Sequence, residues 1–282
     1  MLLPAVLCLV LIILVPFVLS VWFSFTDQRL APRPIPTSFV GLTNYERMLA
    51  DRLFWQAVGN TVLFAVLVVP FQLAISLGAA LALNAAIPFR SLFRSISILP
   101  LLLPMTVVVA IWAMLYRIPT GPLNGIYQLF AGSENYIDFI GGSSTSMVSL
   151  VILSAWASFP YQMLIYLAGL QDIPADLYEA SKLDGAKSWQ RFVYVTWPGL
   201  RNVNIFLLII TTIQALKLFT QVSVMTKGGP NGATTTIIYY LFQQGFTAQK
   251  VGYASAIAVF FFLAVTTVAV LQRVLLRNEG ES

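Results

Sequence analysis

Long runs without a charged residue constrain this chain more than any other feature of its sequence. Five such runs cover residues 1–26, 53–89, 95–116, 139–171 and 251–272. Each is long enough to cross a bilayer as a helix, which takes about 20 mostly apolar residues. The bilayer interior offers no water to satisfy backbone groups, so such runs must be helical. The sequence therefore predicts an all-α integral membrane protein.

The composition excludes several other classes of protein. Only 10% of the residues are charged, against about 25% in an average soluble domain, so a soluble globule is excluded. The chain has no histidine and one cysteine, Cys8, which removes a His-based triad, a zinc or haem site and an internal disulfide. The net charge of +5 is spread over the loops, which favours membrane lipid over nucleic acid as a partner.

The pattern predicts a bundle of six transmembrane helices joined by polar segments. The first run lacks a basic start and a small-residue cleavage site, so we expect a retained helix rather than a signal peptide, in a native chain that could be longer. A short helix is expected near 44–50, and 117–145 and 227–250 are expected to be loops. The five remaining spans are predicted at 61–83, 96–116, 147–170, 203–225 and 253–276.

Six spans place both termini on one side of the membrane, but charge alone does not identify that side. The numbers of Lys and Arg residues in the loops on the two sides are nearly equal, so the positive-inside rule is undecided.

Two kinds of residue inside the predicted spans are candidates for function. Lys217 falls in the predicted fifth helix, where a cation costs a few kcal/mol unless it faces a cavity or a partner. It could contact a substrate or gate, or pair within a subunit interface. Prolines kink helices and can shape a solvated cavity, although they are also common in membrane helices generally. They occur at Pro4, Pro16, Pro70, Pro100, Pro104 and Pro160.

The segment 171–202 is too polar to span a membrane and reads as two short surface helices around Gly185. Pro174 suits the first turn of the first helix, and Gly185 can end it in a left-handed turn. Ser188 is expected to cap the second helix, which Pro198 should stop. Its apolar face comprises Trp189, Phe192, Val193 and Trp197.

This segment resembles the EAA loop of permease subunits in bacterial ABC importers. The family pattern is Glu-Ala-Ala-x3-Gly-x9-Ile-x-Leu-Pro, and the spacing here is complete, with substitutions at Ser181, Val195 and Trp197. Three further segments extend the resemblance: Phe39 to Tyr45, Trp156 with Pro160-Tyr161, and Gly228-Gly229-Pro230 followed by Thr234 to Thr236. Within this family the chain is similar to the carbohydrate-uptake branch, which includes the maltose and glycerol-phosphate permeases.

The resemblance implies a type I ABC importer permease with a cytoplasmic coupling-helix loop. The termini and the loop would face the cytoplasm of a bacterial inner membrane. The implied division is 1–56 for the first helix and outer loop, 57–276 for the transmembrane domain with its coupling loop at 171–202, and 277–282 for a cytoplasmic tail. The residues implied to couple to the ATPase are Glu179, Ala180, Ser181, Asp184, Gly185 and Pro198.

The implied partners are a second homologous permease, two ATP-binding subunits and an extracytoplasmic solute-binding protein. The chain contains no Gly-x4-Gly-Lys-Ser/Thr phosphate loop, so ATP and Mg would be bound by the partner ATPase and this subunit would hold no cofactor and catalyse no reaction. By matching the motifs of the maltose permease, the resemblance places the substrate pathway for a sugar, polyol or glycerol-phosphate-like solute at Ser154, Ala157, Ser158, Tyr161, Gln214, Ala215 and Leu218, with Lys217 adjacent.

Alternatives remain at this stage. Each of these polar residues could instead bridge neighbouring helices. The family's aromatic and hydroxyl positions in the third helix are Leu101 and Met105 here, which counts against maltose itself. A secondary transporter driven by an ion gradient would need acidic residues inside the spans, and none is present. An intramembrane enzyme would need an acid, base or metal constellation, which the spans lack.

Overall fold

The computed structural model describes residues 3–32, 34–85 and 88–278, which fold almost entirely into helices. Among these residues the one extended pairing is a single bridge between Thr26 and Phe39. The predicted tail beyond residue 278 lies outside the described residues. The helices are α1 (Pro4–Ser24), α2 (Thr43–Ala50), α3 (Arg52–Asn84), α4 (Arg90–Ile98), α5 (Met105–Leu115), α6 (Pro122–Ala131), α7 (Thr145–Gln171), α8 (Ala175–Leu183), α9 (Ser188–Gly199), α10 (Arg201–Leu216), α11 (Ile237–Phe242) and α12 (Val251–Asn278).

Four of these helices, α1, α3, α7 and α12, are long and apolar enough to cross a membrane. Two bent pairs complete the set: α4 with its extension to Leu102 meets α5 at 103°, and α9 meets α10 at 67°. Counted as one span each, the pairs give up to six spans in the described chain. The predicted fold class is confirmed, but two of the predicted spans are not single straight helices.

The predicted third helix at 96–116 is wrong as a continuous element. A 3₁₀ turn, Leu99–Leu102, follows α4, and Leu103 is extended, with φ −94° and ψ 135°. Pro100 and Pro104 lack a backbone N–H, and a residue before proline is driven out of the helical region. The two prolines therefore break the span. Pro70 and Pro160, by contrast, lie inside the continuous helices α3 and α7.

The predicted fifth helix at 203–225 is also wrong, because α10 ends at Leu216 and Lys217 is its C-terminal cap. No proline or glycine marks this end in the sequence. Thr236, distant along the chain, donates its hydroxyl to the Leu218 carbonyl at 2.9 Å. This bond satisfies a carbonyl that leaves the helix ladder, so a tertiary contact stabilises the break. A π-helical turn, Val222–Thr226, follows.

Two segments predicted as loops contain helices. α6 lies within 117–145 and begins with Pro122 in its first turn, where a missing N–H costs nothing. α11 and a π-helical turn, Gln243–Thr247, lie within 227–250. The expected short helix near 44–50 is confirmed as α2.

Helix α3 is the central element of the bundle and packs mainly against α7. A buried polar chain joins the helices inside the apolar core. Gln162 accepts from the Ser76 hydroxyl at 3.1 Å and donates to Thr211 at 3.0 Å. Gln162 is fully buried, and polar groups in such a place need partners because no water is available. The network fixes α3, α7 and α10 relative to one another.

One carboxylate joins three helices at the start of α3. Asp51 caps this helix by accepting from the Leu53 N–H at 2.9 Å. Its other oxygen accepts from the hydroxyls of Tyr240 at 2.5 Å and Tyr253 at 2.6 Å. Burial raises the pKa of Asp51, but these hydrogen bonds and those from the Leu53 and Phe54 amides outweigh burial and leave the pKa below its usual 3.8. The ionised form is therefore the stabilising one.

Replacing Asp51 by Asn is expected to lower stability at pH 7 by about 1 kcal/mol, or about 3 °C in Tm, because Asn still caps the helix but loses charge-assisted bonds. A depressed folded pKa stabilises above the unfolded pKa, so wild-type protein should lose this contribution as pH falls below about 4. Thermal unfolding in detergent from pH 7 to pH 3 measures it. Tyr239→Phe is the control, and an Asp51→Asn variant with the wild-type acid profile would contradict the assignment.

Candidate functional site

A cavity of about 290 Å³ lies where the broken third span meets α7 and α10. The break contributes Pro100, Leu101 and Leu103, and α5 contributes Met105 and Val108. The remaining wall comes from α7 and α10 and carries the polar groups. These residues are Ala157, Ser158, Tyr161 and Gln214.

Four of the eight predicted pathway residues thus line one cavity: Ala157, Ser158, Tyr161 and Gln214. The motif positions on α7 and α10, separated by more than 50 residues in the chain, are brought together by packing. The sequence indicated Pro100 among the prolines that can shape a cavity, but it missed Leu103 and Val108 as wall residues, because it predicted one continuous helix for the third span. The two prolines at the break were the available signal.

The other four predicted pathway residues are not in this wall. Ser154 is 5% exposed and lies within 3.3 Å of the Gln221 amide nitrogen, which donates to it. Ala215 and Leu218 are buried in an apolar cluster with residues of α3 and α7. Lys217 is exposed at the end of α10. Ser154 therefore bridges helices, and the pathway role of Lys217 stays a prediction.

The cavity wall has hydrogen-bonding groups without formal charge. Ser158 supplies a hydroxyl, Tyr161 a phenol and Gln214 an amide, and no Asp, Glu, Lys or Arg is among the lining residues. Hydroxyls and amides both donate and accept, and apolar walls beside them suit the two faces of a small polar molecule. The arrangement fits a neutral hydroxylated solute.

The second candidate site is a helical hairpin, residues 175–199, formed by α8 and α9. Gly185, between them, has φ +74°, and no atom lies within 4 Å of the position that a side chain would occupy. Glycine is required by the backbone conformation rather than by crowding. The predicted turn at Gly185 is confirmed.

The start of α9 differs from the prediction. Lys187 rather than Ser188 is the N-cap, and its N–H donates to the Gln190 side chain at 2.7 Å. Pro198 lies inside the last turn, and the helix ends at Gly199, where the chain turns into α10. The rings of the predicted apolar face contact one another, with centroids 5.5 Å apart for Trp189 and Phe192 and 6.2 Å for Phe192 and Trp197.

The base of the hairpin is fixed to the bundle. The hydroxyls of Tyr178 and Thr196 are 3.0 Å apart and link α8 to α9. Ile173 is buried against core residues of α3 and α7, and a side chain at Gly199 would approach within 2.8 Å of it. The hairpin is therefore packed against the core of the bundle at its base.

The tip of the hairpin is exposed. Glu179, Ala180 and Asp184 are exposed, whereas Ser181 is half-buried and donates to the Tyr178 carbonyl at 2.8 Å. Large apolar side chains accompany them in solvent, which is typical of a protein interface. These are Leu177, Leu183, Trp189 and Tyr194. In the described residues no group of three His, Cys, Asp or Glu side chains could hold a metal ion.

Broken membrane helices around a cavity with polar groups in one wall, joined to an exposed helical hairpin, are typical of a membrane transport protein. Residues 74–279 match the family described as the binding-protein-dependent transport system inner membrane component. The match covers most of the chain, which therefore belongs to this family and is a permease subunit of an ABC importer.

Known proteins resemble the chain over nearly its whole length. The trehalose/maltose transport system permease protein MalF of Thermococcus litoralis is 34% identical over 272 residues, covering 96% of this chain and 90% of that protein. The sulfoquinovosyl glycerol transport system permease protein SmoG of Agrobacterium fabrum is 34% identical over 273 residues, covering 96% and 88%. A bacterial ABC transporter that imports the acidic polysaccharide alginate shares the fold, with TM-score 0.86, 19% identity and coverage of 99% and 94%.

Proposed function

We propose that this chain forms half of the translocation pathway for a neutral sugar or polyol and couples it to a separate ATPase through the hairpin 175–199. The central observation is the cavity of about 290 Å³ at the break in the third span, with a hydroxyl, a phenol and an amide in its wall. Relatives named for trehalose/maltose and for starch degradation products support a carbohydrate cargo. The absence of charge among the lining residues favours neutral solutes over glycerol phosphates.

The proposed assembly contains a second homologous permease, two ATP-binding subunits and an extracytoplasmic solute-binding protein. A structure of the alginate transporter was solved in complex with its periplasmic protein, which supports the last of these for this family. ATP and Mg would be held by the ATP-binding subunits, and this chain would catalyse no reaction. The hairpin and both termini would face the cytoplasm, and nucleic acid would not be a partner.

The proposed coupling uses the exposed tip and the fixed base of the hairpin. Glu179, Ala180 and Asp184 would face the ATPase surface, with Ser181 holding the helix beneath them. Gly185 permits the reversal between α8 and α9, and Pro198 lies where α9 joins the bundle. Closure of the ATPase dimer would move the hairpin, and its packing against α3, α7 and α10 would transmit that movement to the cavity.

Substrate-stimulated ATP hydrolysis by the reconstituted complex with its binding protein tests the cargo. Neutral disaccharides or polyols are expected to stimulate hydrolysis at least fivefold more than glycerol phosphates, because no cation in the cavity wall compensates a desolvated phosphate. Lys217→Gln should change the KM for the stimulating solute by less than twofold, since Lys217 lies outside the wall. Preferential stimulation by anions, abolished by Lys217→Gln, would overturn the neutral assignment and leave the permease assignment intact.

A further inference from the structure

A second cavity, separate from the substrate cavity, opens on the flank of the bundle near the base of the hairpin. Its volume is about 490 Å³, and its wall combines α3, α7, α10 and the end of α12 with Trp197 of α9. The wall is almost wholly apolar. Pro70, Ala74 and Trp197 in it are exposed, so the groove is open on the outside of the bundle.

The apolar part of this groove lies well inside the span formed by α3. Leu77 and Pro70 line it and precede the last residue of α3, Asn84, by 7 and 14 residues. At 1.5 Å per residue they lie about 10 and 21 Å from that helix end. Half of a hydrocarbon core is about 15 Å thick. With Asn84 at the edge of the hydrocarbon, the apolar part would extend from the hairpin-side leaflet to just past the bilayer midplane, a depth at which acyl chains are the surrounding groups.

A polar mouth continues the groove at the hairpin end. A neighbouring cavity of about 350 Å³ shares four wall residues with it and adds Pro198 and Arg201. Arg201 is the one charged residue in either wall. The shared residues are Trp197, Asn204, Ile205 and Leu276.

Arg201 is held at this mouth by one hydrogen bond, and most of its N–H donors remain available. One of its terminal nitrogens, Nη2, donates to the Leu276 carbonyl at 3.2 Å. That contact uses one of five N–H donors, and among the described residues no carboxylate forms an ion pair with the guanidinium. The Oδ1 of Asn204, one turn along α10, is buried without a hydrogen-bond partner. The mouth therefore combines an uncompensated cation with an incompletely satisfied amide, and the ring of Trp197 lies in the same wall.

We propose that this groove binds an anionic phospholipid, with its acyl chains between α3, α10 and α12 and its phosphate on Arg201. A cationic pocket between membrane helices is the expected recognition site for an anionic headgroup, and a planar guanidinium suits phosphate geometry. The lipid would contact Trp197 and Pro198 of the hairpin and the core helices together. It would thereby stabilise the joint through which the hairpin moves the bundle.

Native mass spectrometry of the purified complex, incubated with phosphatidylglycerol or phosphatidylcholine of identical acyl chains, tests the site. Wild-type complex is expected to retain phosphatidylglycerol in preference. Arg201→Gln should weaken phosphatidylglycerol binding about fivefold and phosphatidylcholine binding by less than about twofold, because the choline cation already compensates the phosphate of phosphatidylcholine. Arg273→Gln, an exposed arginine of α12 outside both walls, is the matched control and should bind as wild type does.

A cavity-filling pair makes the test independent of Arg201. Ala74→Phe should weaken binding of both lipids at least fivefold, because the ring occupies the groove. Val62 is exposed three turns away on α3, and Val62→Phe should leave the binding of both lipids unchanged. Equal retention of the two lipids by wild type, or identical behaviour of Arg201→Gln and Arg273→Gln, would overturn the proposal.

Two further results would assign the groove to another occupant and overturn the lipid site. The first is a disulfide between Ala74→Cys and a cysteine of the second permease, which would place a protein helix there. The second is an effect of Arg201→Gln that vanishes in a Glu279→Gln, Glu281→Gln background, which would assign Arg201 to the tail carboxylates.

Discussion

Reversing the charge of Glu179 is expected to reduce ATP-dependent uptake at least tenfold while membrane insertion and thermal stability stay unchanged. Glu179 is exposed in the middle of α8, and its side chain makes no hydrogen bond or ion pair with any described residue. The change therefore removes nothing from the fold of this chain. Losing one partner of a charge pair that is buried at a subunit interface costs about 2–5 kcal/mol of binding free energy. A loss of about 1.4 kcal/mol already lowers the affinity tenfold.

Uptake into reconstituted vesicles, together with co-purification of the ATPase, measures this effect. Glu134→Lys, the same reversal at an exposed position in the segment between α6 and α7, is the matched control and should retain uptake. Adding Gly185→Val should deepen the loss, because a β-branched residue is strained at φ +74° although space is available. Normal uptake by the Glu179→Lys, Gly185→Val double variant would rule out the coupling assignment.

Filling the proposed substrate cavity is expected to reduce uptake as strongly as the change at Glu179, although the hairpin stays intact. Ser158→Phe is expected to lower uptake at least tenfold, because a ring takes up much of a cavity of about 290 Å³ and removes a hydroxyl from its wall. Ser158 is only half-buried, so the ring can enter the cavity without displacing core side chains. Basal ATP hydrolysis should continue, since the hairpin is untouched, while stimulation by substrate should disappear.

The control for this variant lies on the same helix. Ile152→Phe places an equal ring at an exposed position of α7 outside the cavity wall, and uptake should stay within twofold of wild type. If Ser158→Phe retained substrate stimulation and uptake, the cavity would not be the pathway. Ser158 would then have the helix-bridging role that the structure gives to Ser154.

The hairpin 175–199 was predictable because its determinants are local. Pro174 precedes α8, Gly185 permits a left-handed turn, and the intervening spacing fits one short helix. The error at its second helix is equally local: Gln190 reaches back to the Lys187 N–H and moves the cap one residue earlier than Ser188. Single-residue errors at helix ends do not alter which side chains reach the exposed tip.

The cavity was predictable only in part. Motif positions on α7 and α10 identified Ser158, Tyr161 and Gln214, but the opposing wall depends on a bend of 103° that hydropathy does not reveal. The same limit applies to Lys217. The apolar pattern around Lys217 predicted a helix that continues past this residue. In the structure the helix ends at Leu216, and the bond from Thr236 to the Leu218 carbonyl stabilises that end.

The sequence by itself determined the environment and the architecture of this protein, because charge-free runs of bilayer length can satisfy their backbone only as helices. The tertiary structure alone decided the end of α10 at Leu216, which polar residues face a cavity and which pair with each other. Ser154 and Ser158 are one turn apart on α7, yet one bonds Gln221 and the other lines the cavity. Neighbouring helices make that distinction, because they decide whether a polar side chain such as Gln221 lies opposite a given serine.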